Sequence, residues 1–154
     1  MSNSSSVGLD DLRCLRPGSG NGSAEHTSLR GSVVTVPIVD VELVGVAVVT
    51  GATTQRLADA LGEALSSRPG GTWVRVRQLE RSRYAENGGV DDEVHPVFVT
   101  VLERTRATGP ELVDRASRVT AAVADVTGRD PDHVHVLFED DASGRLSFGG
   151  RLVE

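Results

Sequence analysis

Two short stretches of the chain alternate apolar and polar residues, and each is followed by a helical stripe. In the first, Val39, Val41 and Leu43 alternate with Asp40 and Glu42, the period of two expected of a strand with one buried face. Val33, Val34 and Val36 continue its β-branched character backwards. Leu57, Leu61, Ala64 and Leu65 then fall on one helical face after the candidate caps Thr53 and Thr54, and Arg68-Pro69-Gly70-Gly71 stops that helix. A second strand runs from Trp73 to Leu79, with Trp73, Arg75 and Arg77 on one face and Val74 and Val76 on the other.

The same order then repeats. His95-Pro96 leads into Val97 to Leu102, and Leu112, Ala116, Val119, Val123 and Val126 form a helical stripe. Thr108 is placed to cap that helix, Pro110 suits its first turn and Gly128 ends it, and His133 to Phe138 follows as a strand. Pro37 to Pro96 is a step of 59, Arg75 to His135 of 60 and Gly89 to Gly150 of 61, which marks a duplicated β-α-β unit. Repeat one spans 36–89 and repeat two 95–154. Strands separated by such helices pair in parallel through right-handed crossovers. The expected fold is therefore α/β (α+β), a single four-stranded sheet with both helices on one face. The other face has no cover within the chain, which predicts self-association.

Composition narrows the chemistry. The 154 residues suit one domain over 32–154, preceded by a Ser-, Gly- and Asn-rich segment 1–31 that reads as disordered or loosely attached. A net charge of −6 argues against a nucleic-acid partner, since a phosphate-tracking surface needs a basic excess. All 16 basic residues are arginine, so neither a Schiff-base lysine nor a phosphate-loop lysine exists. Cys14 is the sole cysteine, which fits a reducing cytoplasm and rules out a cysteine-based metal or cluster site. No apolar run is long enough to span a membrane.

The residues Pro96-Val97-Phe98-Val99, Val134-His135-Val136-Leu137-Phe138-Glu139 and Ser147-Phe148-Gly149-Gly150 follow, in order, the strand, strand and hairpin of the tautomerase superfamily. Over roughly 36–153 the chain resembles its 4-oxalocrotonate tautomerase-like members. In its doubling it looks like the tandem malonate semialdehyde decarboxylases and cis-3-chloroacrylic acid dehalogenases. The resemblance implies a tautomerase/MIF-like fold, a homotrimer and a cofactor-independent isomerase acting on a small anionic substrate, without metal. It implies Pro37 as the catalytic proline and Arg75 as the guanidinium that grips the substrate carboxylate, a task its bidentate fork suits. It also places Arg106, or Arg104 beside it, as a second substrate-binding arginine.

Arg77 points with Arg75, and Trp73 shares their face. Tyr84, the one tyrosine, offers either a hydroxyl to a developing enolate or a wall to the pocket. The alternatives are a solvated basic face continued by Arg81 and Arg83, surface charge at Arg106 and a surface tyrosine. His133 and His135 read as a sheet-face pair rather than metal ligands. The family's aromatic in the final hairpin is replaced by Leu146, with Phe148 two residues later. Asp40, Glu42, Glu80 and Glu86 are candidates for a water-activating acid, as a hydratase or decarboxylase would need.

A free amino-terminal proline is a usable base near neutral pH, but an amide nitrogen is not. Pro37 follows 36 residues, so its nitrogen is acylated as the sequence stands. Three readings stay open: a non-catalytic or differently acting relative that keeps the scaffold, proteolytic removal of the leading segment, or a translation start at Val36.

Overall fold

The computed structural model describes residues 37–45, 47–89 and 91–154. The expectation for 1–31, and the backward extension of the first strand, lie outside the described residues. Strand β1 spans Ile38–Val44, helix α1 Gly51–Ala64 and strand β2 Trp73–Leu79. The second unit supplies β3 (Val97–Leu102), α2 (Gly109–Thr127) and β4 (Val134–Phe138), and a small hairpin of β5 (Ser147–Phe148) and β6 (Arg151–Leu152) closes the chain. The sheet runs β2-β1-β3-β4. β1 pairs parallel with β2 and β3 parallel with β4, as crossover helices require, while the two units join through antiparallel β1 and β3. The result is a four-stranded mixed sheet with both helices on one side.

The alternation decides which face is buried. Val39, Val41 and Leu43 of β1 and Val97, Val99 and Val101 of β3 meet Leu57 and Leu61 of α1 and Val119 and Val123 of α2 in one core. Each such side chain, almost wholly removed from water, stabilises the fold by about 1.5–3 kcal/mol.

This core corrects the repeat register. Ile38 faces outward, yet Val97, 59 residues later, is buried. A one-residue shift exchanges the faces of a strand, so only an even step superposes the two units. Val39, Val41 and Leu43 therefore correspond to Val97, Val99 and Val101, a step of 58 (97 − 39). The two prolines stand one residue out of structural register.

Two local signals were also displaced. The N-cap of α1 is Thr50, whose Oγ1 accepts the Thr53 N–H at 3.1 Å, so the cap lies three residues before the Thr53 expected from the pattern. It also ends early, because Ser66 turns the chain with φ 56° before the Pro-Gly-Gly stop is reached. In α2 the expectations hold better: Pro110 lies in the first turn and Gly128 closes the helix with φ 68°. Thr108 occupies the cap position without a side-chain bond to the helix. At the far end of β1, Gly45 has φ 78°, and a Cβ there would lie 2.7 Å from His95 Nδ1. Glycine is required on both counts. Among the described residues no helix is long and apolar enough to cross a membrane.

Candidate functional site

The outward face of the sheet is partly roofed at one end, and that roof creates a groove. After β4 the chain folds back along the end of β3: Glu139 N–H donates to Val101 O at 2.9 Å, Ala142 N–H to Glu103 O at 2.9 Å and Ser143 N–H to Arg104 O at 3.2 Å. Ala142 and Val153 are buried as anchors. Phe148 of the hairpin meets the Trp73 ring nearly edge-on, with centroids 5.1 Å apart. Between sheet and roof lies a cavity of about 400 Å³ with Ile38, Asp40, Arg75, Thr100 and Leu102 as its floor and Glu139, Ala142, Arg145 and Leu146 as its roof.

Strand register assembles the floor. Asp40 sits beside Arg75 across β1 and β2, and opposite Thr100 across β1 and β3. Arg75 Nη2 donates to Asp40 Oδ2 at 2.5 Å, and Arg77 Nη2 stands 3.7 Å from Asp40 Oδ1. That Oδ1 is buried and accepts no hydrogen bond. In the roof, Arg145 is held by backbone carbonyls, donating from Nη2 to Asp140 O at 2.6 Å and from Nε to Asp141 O at 2.9 Å. The lining thus includes two acidic residues, Asp40 and Glu139, and two arginines, Arg75 and Arg145, and is formally neutral. Ile38, Leu102 and Leu146 give it an apolar body. Such a groove suits a small molecule with a polar head and a short carbon chain.

The residues singled out from the sequence divide between this groove and other places. Arg75 lines it. Pro37 is buried one residue before Ile38, and its carbonyl accepts the Trp73 N–H at 2.9 Å, but it does not line the cavity. Trp73 stands half exposed at the level of Ile38, and Arg77 reaches back to Asp40 from the level of Glu42. Arg106 is drawn away: its N–H donates to Asp141 Oδ1 at 2.8 Å and its guanidinium lies 3.7 Å from Asp140.

Tyr84 is at the opposite end of the sheet. Its ring packs on Phe98, opposite Glu42 and about 13 Å along β1 from Ile38. Its hydroxyl donates to Glu86 at 2.6 Å, and that bond pushes its pKa up. His135 joins the same ring row against Phe98, whereas His133 lies in the turn before β4 instead of sharing the strand face. Among the described residues no three His, Cys, Asp or Glu side chains are grouped to hold a metal ion.

Sequence reasoning missed Glu139 and Arg145, and it weighed Asp40 only as an acid. The signal for Arg145 was the charged, turn-rich stretch Asp140-Asp141-Ala142-Ser143-Gly144 before the hairpin. Nothing in its spacing says that it folds back over β1.

The sequence matches no protein-family model, and no curated protein is similar enough to count as a relative. Solved structures are informative. A fused 4-OT described as a symmetric trimer is 16% identical with a TM-score of 0.60 over 75% of this chain and 94% of its own. Pt0534, inactivated by 2-oxo-3-pentynoate, is 13% identical with a TM-score of 0.60 over 75% and 94%. A macrophage migration inhibitory factor homologue from Prochlorococcus marinus is 16% identical with a TM-score of 0.60 over 76% and 99%. At these identities the likeness establishes the architecture.

Proposed function

We propose that this chain, whose fold is that of the tautomerase superfamily, is a cofactor-independent isomerase. It binds a small carboxylate-bearing keto or enol compound in the groove and moves a proton between carbon and oxygen. The observation that carries this reading is the position of the groove: its floor begins at Ile38, one residue beyond Pro37, and Arg75 faces into it. In a protein beginning at Pro37 the ring nitrogen is a secondary amine whose basicity starts near the α-amino range of about 7.7–8.0 and falls beside a guanidinium. That amine takes the proton, and Arg75 holds the carboxylate and the developing enolate. Glu139, which lines the same groove and is not paired with Arg75 as Asp40 is, is the acid we assign to activate water should the reaction be a hydration or a decarboxylation.

A second reading rests on a specific observation. In the chain as it stands Pro37 is an amide, and Arg75 is already engaged by Asp40. A protein keeping both features would be a binding scaffold.

The compound that inactivates Pt0534 separates the two. 2-Oxo-3-pentynoate is a conjugated alkynone, so a secondary amine adds to its triple bond, forming a C–N bond while the amine proton passes to the neighbouring carbon. Intact-mass and peptide analysis is expected to show one adduct, on Pro37, in a shortened protein beginning there and none in the full-length chain. A folded, unlabelled shortened protein would sink the proline mechanism.

We further propose a homotrimer, the state described for the fused 4-OT neighbour. Trp73 and Leu137 are exposed on the outward face of the sheet, and Leu152 on the hairpin beside it. Sedimentation equilibrium should give about three times the 16.2 kDa chain mass. A monomer persisting at micromolar concentration would rule this assembly out.

A further inference from the structure

We infer that Asp40 is an internal counter-ion occupying the carboxylate position of Arg75, and that ligand binding transfers it to Arg77. The two arginines then have different tasks: Arg75 receives the ligand, and Arg77 receives the displaced Asp40. The inference rests on the groove being an anion site, as proposed above.

The geometry supports the exchange. Asp40 and Arg75 both line the cavity, so an incoming carboxylate reaches the guanidinium where Asp40 already holds it. Simple displacement would leave Asp40 costly, because its Oδ2 would lose Arg75 while its buried Oδ1 has no hydrogen bond at all. Arg77 is the remedy. Its Nη2 lies 3.7 Å from that same Oδ1, beyond hydrogen-bond length, so a small rotation of either side chain closes a bond not yet made. Both guanidiniums are largely exposed, with side-chain exposures of 61% and 63%, and are free to adjust. Asp40 is carried by the rigid centre of the sheet between β2 and β3 and can swing only at its side chain.

Titration of the full-length protein with pyruvate, the smallest 2-oxo carboxylate, tests this by calorimetry. Asp40→Asn is expected to tighten binding about ten-fold, the scale of one charge-assisted hydrogen bond no longer competed for. Glu42→Gln removes the same charge from the next outward position of β1 and should change affinity less than about two-fold, which separates ion exchange from a general electrostatic effect. Arg77→Ala should weaken binding several-fold in the otherwise native protein and have no effect when combined with Asp40→Asn. That non-additivity is expected only if Arg77 acts through Asp40. Arg75→Ala should abolish binding in every background.

If binding depends on Arg75 but is indifferent to Asp40→Asn, or if Arg77→Ala weakens it equally in both backgrounds, the exchange is wrong and the anion site stands. If no variant binds pyruvate, both the exchange and the anion-site reading fall.

Discussion

A shortened protein beginning at Pro37 is expected to lose about 2–4 kcal/mol of transition-state stabilisation when Arg75 becomes alanine, read as a fall in kcat/KM on an enol such as phenylenolpyruvate. The size follows from two tasks lost together. The guanidinium orients the carboxylate through its fork, and it stabilises negative charge that grows on oxygen as the proton leaves carbon. Because Arg75 must first part from Asp40, the lower end of the range is the better estimate. Arg75→Lys should restore only part of the rate, since it returns the charge without the fork. A folded alanine variant with an unchanged rate would remove Arg75 from the mechanism, and a native shortened protein no faster than the full-length chain would remove Pro37.

The largest effect on stability is expected at Arg115. Glu103, directly after β3, is buried and paired with Arg115 of α2, which also holds Glu111 at 2.7 Å. Arg115→Ala leaves a buried carboxylate without its cation and should cost about 3 kcal/mol near neutral pH. The pH dependence has a definite sign. Burial raises the Glu103 pKa above its ordinary value of 4.5, and Arg115 is the main influence pulling it back. A raised pKa means that the folded chain holds the proton more tightly than the unfolded one. The Glu103 contribution is therefore fully present below that ordinary value and is lost as pH rises through the folded pKa.

Without Arg115 the folded pKa climbs further, so the variant should lie closest to the native protein near pH 4.5 and fall behind it toward neutrality. Urea melts across that range would show the gap widening; a gap independent of pH would contradict the argument. Glu103→Gln should be milder, because its amide oxygen can still accept from Arg115 while Glu111 keeps the guanidinium neutralised. The pair also bears on the groove, since the Glu103 carbonyl anchors the roof at Ala142.

What could be read in the sequence follows from the range of the physics involved. β2 was found with its observed bounds because Trp73-Val74-Arg75-Val76-Arg77 alternates without a break, and the α2 stripe appeared because its helix carries a proline start and a glycine stop. The α1 cap was misplaced because Gly51 and Ala52 read as loop, while the actual signal is one hydroxyl bonding three residues on. The proline-to-proline step misled because it matches residue identities, whereas the sheet matches faces. In the site, Arg75 was visible as an arginine at a strand position the family uses. Its pairing with Asp40 depends on the β1–β2 register, and Arg145 over β1 depends on a loop 105 residues away (145 − 40); neither has a local signature. Tyr84 and Arg106 have suitable chemistry, but their loops carry them to Phe98 and to Asp140 instead.

The contact between Trp73 and Phe148 makes the molecule its own fluorophore-labelled sample. There is no second tryptophan in the chain, so all indole emission originates where the hairpin meets the first residue of β2. Its emission therefore reports, with no dye attached, on both the hairpin contact and the outward sheet face, and a signal that does not change with protein concentration isolates the hairpin from the proposed assembly.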